Sequence, residues 1–275
     1  MTGVERQAAA RDTADRHAAE LDDALSFTLP GGAHVLFTTR AQGNLSTQSG
    51  DDHERGREAR DRLCEGLGLS WLCASRQVHG SAVQRVGSIG GIAGEPVAID
   101  ADGHATALAG VGMTVLAADC LPVALARGGA VAMLHAGWRG LAAGVLEQGV
   151  RALAEVDDRD DARRGERGGG PGERDDDGRG DRHGGVVAVI GPGAGACCYE
   201  VGHEVHAAFG ARSKAGLPRA GRPIDLRAIA RERLLGAGVA EVLDAQACTI
   251  CDERFFSHRR EGARAGRQAG VAWLS

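Results

Sequence analysis

Aromatic residues are scarce: one Tyr, three Trp and five Phe in 275 residues. A core must therefore be filled mainly by Val, Leu and Ala, and the 43% hydrophobic fraction can supply them. No run approaches the ~18 apolar residues of a membrane span. The opening residues, T-G-V-E-R-Q-A-A-A-R, lack the apolar stretch of a secretory signal. A cytoplasmic protein with no membrane partner is expected. A polybasic tract is also missing and net charge is −5, so no nucleic-acid partner is expected. Cysteine is not scarce: there are seven, Cys64, Cys73, Cys120, Cys197, Cys198, Cys248 and Cys251. An odd count in a chain of this kind points to thiols rather than a disulfide framework.

What is present centres on Ala117 to Gly140, A-A-D-C-L-P-V-A-L-A-R-G-G-A-V-A-M-L-H-A-G-W-R-G. Two apolar runs meeting at Gly128-Gly129 predict a β-hairpin. It would hold the Cys120 thiol and the His135 imidazole at the same end. Before it, strands are expected at Ala33–Arg40, Trp71–Ser75, Ala82–Val86 and Met113–Ala117, with a helix over 52–67. After Gly140 the apolar period lengthens, and Leu141, Val145, Leu146, Val150, Leu153 and Val156 mark one helix face. Residues 157–185 contain no Val, Leu, Ile or aromatic residue; a disordered insertion is expected there, and a disordered or helical tail over 1–24. Val186–Ile190 reads as a buried strand. Helices are expected over Tyr199–Phe209 and Ile224–Leu235. Strands and helices mix without strict β-α-β alternation, which favours α+β or a layered sandwich, with one catalytic domain over 25–275.

Several groups could carry chemistry. His79, Cys120 and His135 each sit at an expected strand end. Two imidazoles and a thiolate suit zinc with a fourth position open, and copper is compatible. Ordinary packing explains each residue taken alone. Cys120 could instead be a nucleophile with a histidine base and Asp119 or Asp102 as orienter; Asp119 beside it would raise the thiol pKa. Gly191-Pro192-Gly193-Ala194-Gly195 is a poor dinucleotide fingerprint and reads as a tight turn. Cys248-x-x-Cys251 lacks a second such pair, and the adjacent Cys197-Cys198 is a poor complement. His203-x-x-His206 fits a solvated helix face. The arginine pair at 259–260 could hold an anion.

Together R-Q-V-H-G, T-V-L-A-A-D-C-L-P-V, H-A-G-W-R-G, C-C-Y-E-V-G and F-F-S-H-R-R resemble the laccase-domain family, also called polyphenol oxidase or peptidoglycan editing factor. The resemblance runs from about Val35 to Leu274. It implies a four-layer α/β/β/α sandwich, a zinc site at His79, Cys120 and His135, and phosphorolysis of adenosine, inosine, guanosine and methylthioadenosine with adenosine deamination. Purine nucleosides and phosphate are the implied partners, with a monomer or weak homodimer expected. Asn44 matches the family's N-L, and Asn44, Arg139, Arg259 and Arg260 are candidate substrate contacts. Asp102 and Thr106 match its D-x-x-x-T. The chain departs at His258, where the family usually has Tyr, and at Ala59, where Asn is common. Rivals are copper-dependent phenol oxidation, weakened by the absence of H-x-H pairs, a cysteine amidase acting on peptidoglycan precursors, and a structural zinc domain.

Overall fold

The computed structural model describes residues 21–47, 52–87, 99–167, 184–210 and 223–275. Two sheets form the centre. The first has strand order β1-β2-β11-β6-β3: β1 Leu25–Leu29, β2 Ala33–Phe37, β3 Trp71–Cys73, β6 Val111–Ala117 and β11 Gln268–Leu274. The second runs β10-β9-β7-β8-β5-β4: β4 Val83–Val86, β5 Gly103–Thr106, β7 Leu121–Arg127, β8 Ala130–Ala136, β9 Val187–Ile190 and β10 Glu241–Asp244. Both mix parallel and antiparallel pairs.

Period-two alternation sorts the strand residues into layers. Along β7, Leu121, Val123 and Leu125 face one cluster while Ala124 and Ala126 face another. Along β8, Ala132 and Leu134 go with the first, Val131 and Met133 with the second. The second cluster also holds Val35, Phe37, Met113, Val115 and Ala272 of the other sheet, so it is the filling between the sheets. Its small alanines meet larger Phe and Met side chains, which is how an aromatic-poor chain closes its centre.

Helices cover the outer faces. α1, Asp52–Gly66, packs Ala59 and Leu63 on Leu36, Ala269 and Val271. α2, Trp138–Ala143, is followed by α3, Val145–Arg167. α4 is His203–Gly210, α5 Leu226–Gly236 and α6 His258–Glu261. α3 and α5 cover the second sheet through Leu146, Leu153, Ala230 and Leu234. The result is the four-layer α/β/β/α arrangement in one α+β domain.

The hairpin is present, with Leu121 opposite Ala136 and Arg127 opposite Ala130. Four local readings change, the first being that the helix expected from Tyr199 starts only at His203. The expected single helix after Gly140 is two, broken at Gly144, whose left-handed φ of 88° caps α2. α3 continues to Arg167, so the first part of the expected insertion is helical; its apolar face ends at Val156, and of the residues beyond, Arg159, Ala162, Arg163, Arg164 and Glu166 are good helix formers. Residues 168–183 of that insertion, and 1–20 of the expected tail, lie outside the described residues. β1 was not expected: L-S-F-T-L is short, but it pairs along its whole length with β2. Among the described residues no helix is long and apolar enough to cross a membrane.

Candidate metal and substrate site

The site lies where the chain passes between sheets. Residues 118–120 link β6 of the first sheet to β7 of the second, and residues 74–82 link β3 to β4 in the same sense. One crossing carries Cys120, the other His79. His135, next to last in β8, faces them. Donor atoms of these three residues all lie within 4.8 Å of one another. The rings of His79 and His135 meet edge-on, 4.9 Å between centroids.

Asp102, with no solvent exposure, organises the group. Its carboxylate accepts three successive backbone N–H bonds, from Val78 at 3.2 Å, His79 at 2.9 Å and Gly80 at 2.7 Å. It also sits 2.8 Å from His135 Nδ1, which leaves Nε2 of that ring as the outward donor. The loop can wrap a carboxylate this way because His79 takes a positive φ of 59°. Burial pushes the Asp102 carboxyl up, but the bonds from His135, Gly80 and Val78 outweigh it and hold the group below its usual value. Opposite Cys120 stands Gly137. A Cβ there would lie 2.9 Å from Cys120 Sγ and 3.1 Å from His79 Cδ2, so H-A-G-W-R-G needs glycine at this place.

Burial also opposes ionisation of Cys120, yet the charge of His135 and hydrogen bonds from His135 and His79 bring its thiol down to about 6. His135 moves the other way, to about 9, as the Cys120 thiolate and Asp102 outweigh burial. The Asp119 carboxylate, expected as an orienter of the histidine base, is bonded to other groups. It accepts from Thr249 Oγ1 and from the Arg259 amide, both at 2.7 Å.

The three donors open on a cavity of about 760 Å³. Its wall includes Trp138, Tyr199, Arg60, Arg139, Arg259 and Arg267. Two of the chain's nine aromatic residues thus line it. The Arg139 guanidinium lies 4.3 Å from the Trp138 ring centre and that of Arg259 lies 4.7 Å from Tyr199.

The remaining sequence candidates sort differently. Arg139 and Arg259 line the cavity, but Asn44 and Arg260 do not. The Asn44 side chain accepts from the amides of Ser46, 3.0 Å, and Arg267, 2.8 Å, so it shapes the wall from behind. Arg260 directs its guanidinium to the carbonyls of Thr249, Ile250 and Phe255 and to Glu261; as a clip between loops it has few donors left for an anion. Arg60 and Arg267 were missed, because a helix arginine and a C-terminal arginine carry no local signal that they share a cavity. The G-P-G-A-G turn offers no phosphate cradle: Gly191, Gly193, Ala194 and Gly195 all donate within the protein. Gln77 of R-Q-V-H-G bonds both the carbonyl and the amide of Leu116, at 2.7 and 2.8 Å, tying one sheet-crossing loop to the strand that feeds the other.

A family model described as multi-copper polyphenol oxidoreductase laccase matches residues 26–164 and 176–275. The chain belongs to this laccase family. Similar proteins include one named purine nucleoside phosphorylase from Xylella fastidiosa (strain Temecula1), 38% identical over 260 residues, covering 89% of this chain and 88% of the relative. Purine nucleoside phosphorylase YfiH of Escherichia coli (strain K12) is 34% identical, covering 89% and 95%. A protein named adenosine deaminase RL5, from an unknown prokaryotic organism, is 32% identical, covering 86% and 92%. Among solved structures, the Neisseria meningitidis protein NMB0706 superposes with a TM-score of 0.70 at 29% identity, covering 92% of this laccase-family chain and all of the other. His79, Cys120 and His135 form a donor set able to hold a metal ion in this family member.

Proposed function

We propose that the protein is a metal-dependent enzyme of purine nucleosides, cleaving them with phosphate and deaminating adenosine. The observation that carries this reading is one cavity whose wall joins a two-imidazole, one-thiolate donor set to aromatic faces and several guanidinium groups. The names of the relatives point the same way. Zinc suits the donors, and three protein ligands leave a coordination position free. A zinc ion here supplies Lewis-acid and water-activating chemistry.

The chain's own residues do the rest. Tyr199 and Trp138 offer flat faces to a purine. Arg139 and Arg259, with Arg60 and Arg267, hold the phosphate dianion by charge-assisted hydrogen bonds. In phosphorolysis a phosphate oxygen forms a bond to ribose C1′, the C1′–N9 bond breaks, and the purine leaves with its electron pair and takes up a proton. In deamination water adds at C6 and ammonia leaves. Asp102 keeps the His135 ring in one orientation throughout. Copper-dependent phenol oxidation finds less support, because the donor set includes no His-x-His pair.

A second reading has a specific observation in its favour: Asp102, His135 and Cys120 line up as orienter, base and nucleophile. One experiment separates the two. Purified protein is assayed for metal, then for adenosine turnover with and without phosphate, before and after chelation. The proposal expects bound zinc, ribose 1-phosphate only with phosphate, and loss of turnover on chelation that zinc restores. Full turnover in metal-free protein would favour the nucleophile instead.

A further inference from the structure

Away from this cavity, four thiols that look unrelated in sequence meet. Cys197 and Cys198 lie in the loop after β9, Cys248 and Cys251 in the loop after β10. β9 and β10 are parallel neighbours, so both loops leave the sheet at the same end. The loops also pair: Gly193 N–H donates to the Ala247 carbonyl at 3.2 Å, and Thr249 N–H to the Gly193 carbonyl at 3.1 Å. Lone Cys248-x-x-Cys251 therefore does find a complement in the Cys197-Cys198 pair.

All four sulfur atoms lie within 4.8 Å of one another, with Cys251 Sγ 2.9 Å from Cys198 Sγ and 3.4 Å from Cys197 Sγ. Four thiolates at ~2.3 Å from one zinc ion stand roughly 3.8 Å apart along the edges of a tetrahedron. The separations of 2.9 and 3.4 Å lie below that spacing, and no pair of the four sulfurs exceeds 4.8 Å. Cys248 Sγ further accepts a backbone N–H from Gly195 at 3.2 Å. Such amide donors stabilise and orient a thiolate ligand. A disulfide uses two sulfurs; a shared centre for four is a ligand set, and soft sulfur donors select zinc among common divalent cations.

We propose that Cys197, Cys198, Cys248 and Cys251 form a second, four-thiolate zinc site that fastens one wall of the cavity. Four protein ligands close the coordination sphere, so this ion is structural. The residues it pins are specific. Tyr199 follows Cys198 directly and lines the cavity. Thr249, between the two cysteines of the other loop, holds Asp119, which in turn anchors the Arg259 amide. Arg260 grips the Thr249 and Ile250 carbonyls from the far side. The inference does not depend on which reaction the cavity performs.

The test counts and characterises zinc in the full-length protein. With one ion per cluster, wild type binds two. Cys120→Ala/His135→Ala keeps one, and its X-ray absorption shows sulfur neighbours alone at ~2.3 Å. Cys248→Ser/Cys251→Ser keeps the other, with mixed nitrogen and sulfur. Should that variant not fold, the absorption spectrum of Cys120→Ala/His135→Ala decides. Should neither fold, wild type decides: sulfur must outnumber imidazole nitrogen around its zinc. A single zinc that disappears in Cys120→Ala/His135→Ala overturns the proposal. So does zinc-free protein in which peptide mapping finds these cysteines joined as disulfides. Two zinc ions without nucleoside turnover would leave this site standing and remove the reading of the cavity.

Discussion

The two clusters bring sulfur together under opposite conditions. The first mixes one thiol with two imidazoles, is built across a gap between sheets, and is held by a carboxylate with no solvent exposure. The second is all thiol, sits on two loops of one sheet, and has Cys197 and Cys251 exposed. Three donors facing a cavity leave room for a reactant; four donors at a surface leave none. On the two proposals made above, similar residue types serve reaction in one place and fastening in the other.

The largest effect that would sharpen this contrast is expected from Cys120→Ala. Loss of a ligand should remove metal from the first cluster and lower kcat/KM by more than ~100-fold, beyond the range for residues that support a ligand. Metal at the second cluster should be retained. Equal metal loss from both clusters would break the distinction. Asp102→Asn comes next, with a drop of ~10–100-fold in metal affinity or kcat/KM. It keeps the three ligand side chains but removes an oxygen that accepts from the 78–80 loop, so an activity loss with the fold intact by circular dichroism reports support of both His135 and the His79 loop. Arg139→Ala should be smaller: Arg139 is exposed, so loss of one charge-assisted bond at the low end, ~1.5 kcal/mol, raises the KM for phosphate by ~10-fold, while phosphate-independent deamination keeps its rate.

Near neutrality the smallest change is a pH slope. His104, buried on β5 with Nε2 2.7 Å from Ser75 Oγ, is pushed down to about 4 by burial, with Asp102 opposing. Its unfolded value is ~6.5. Between these values the unfolded chain binds more protons, so stability is full above ~6.5 and declines as pH falls toward about 4. The whole window corresponds to ~3 kcal/mol. Urea unfolding midpoints measured from pH 7 to 4.5 should fall in wild type and fall less in His104→Gln. β5 adjoins Asp102, so acid should loosen the first cluster's support before it reaches the second's.

Much of this was legible from residue order. The Gly-Gly hairpin, the buried strand Val186–Ile190 and the α5 boundary at Asp225, whose side chain accepts the Ala228 amide, are local patterns. The union of His79, Cys120 and His135 was suggested by family motifs, since nothing in their spacing brings them together. The four-cysteine cluster was misread because C-C and C-x-x-C do not look like partners until two parallel strands deliver their loops to one end. Arg260 stands off the cavity for a related reason. A paired arginine in a motif invites an anion, but its guanidinium donors are taken by carbonyls and a carboxylate that local sequence does not reveal. Asp119 looked like a partner of its neighbour Cys120; a φ of 89° turns the chain there and sends the carboxylate elsewhere.

The sheet-crossing loops also set a timetable for folding. Cys120 and His135 are brought close by a local hairpin, which forms early because its loop is short. His79 and Asp102 arrive from outside that hairpin, so they must wait for β4 and β5 to dock and close longer loops. Ligand competence is therefore an event of late assembly. In Cys248→Ser/Cys251→Ser protein, which keeps only the first cluster, a metal-sensitive dye followed during refolding would report when the two sheet-crossing loops come together.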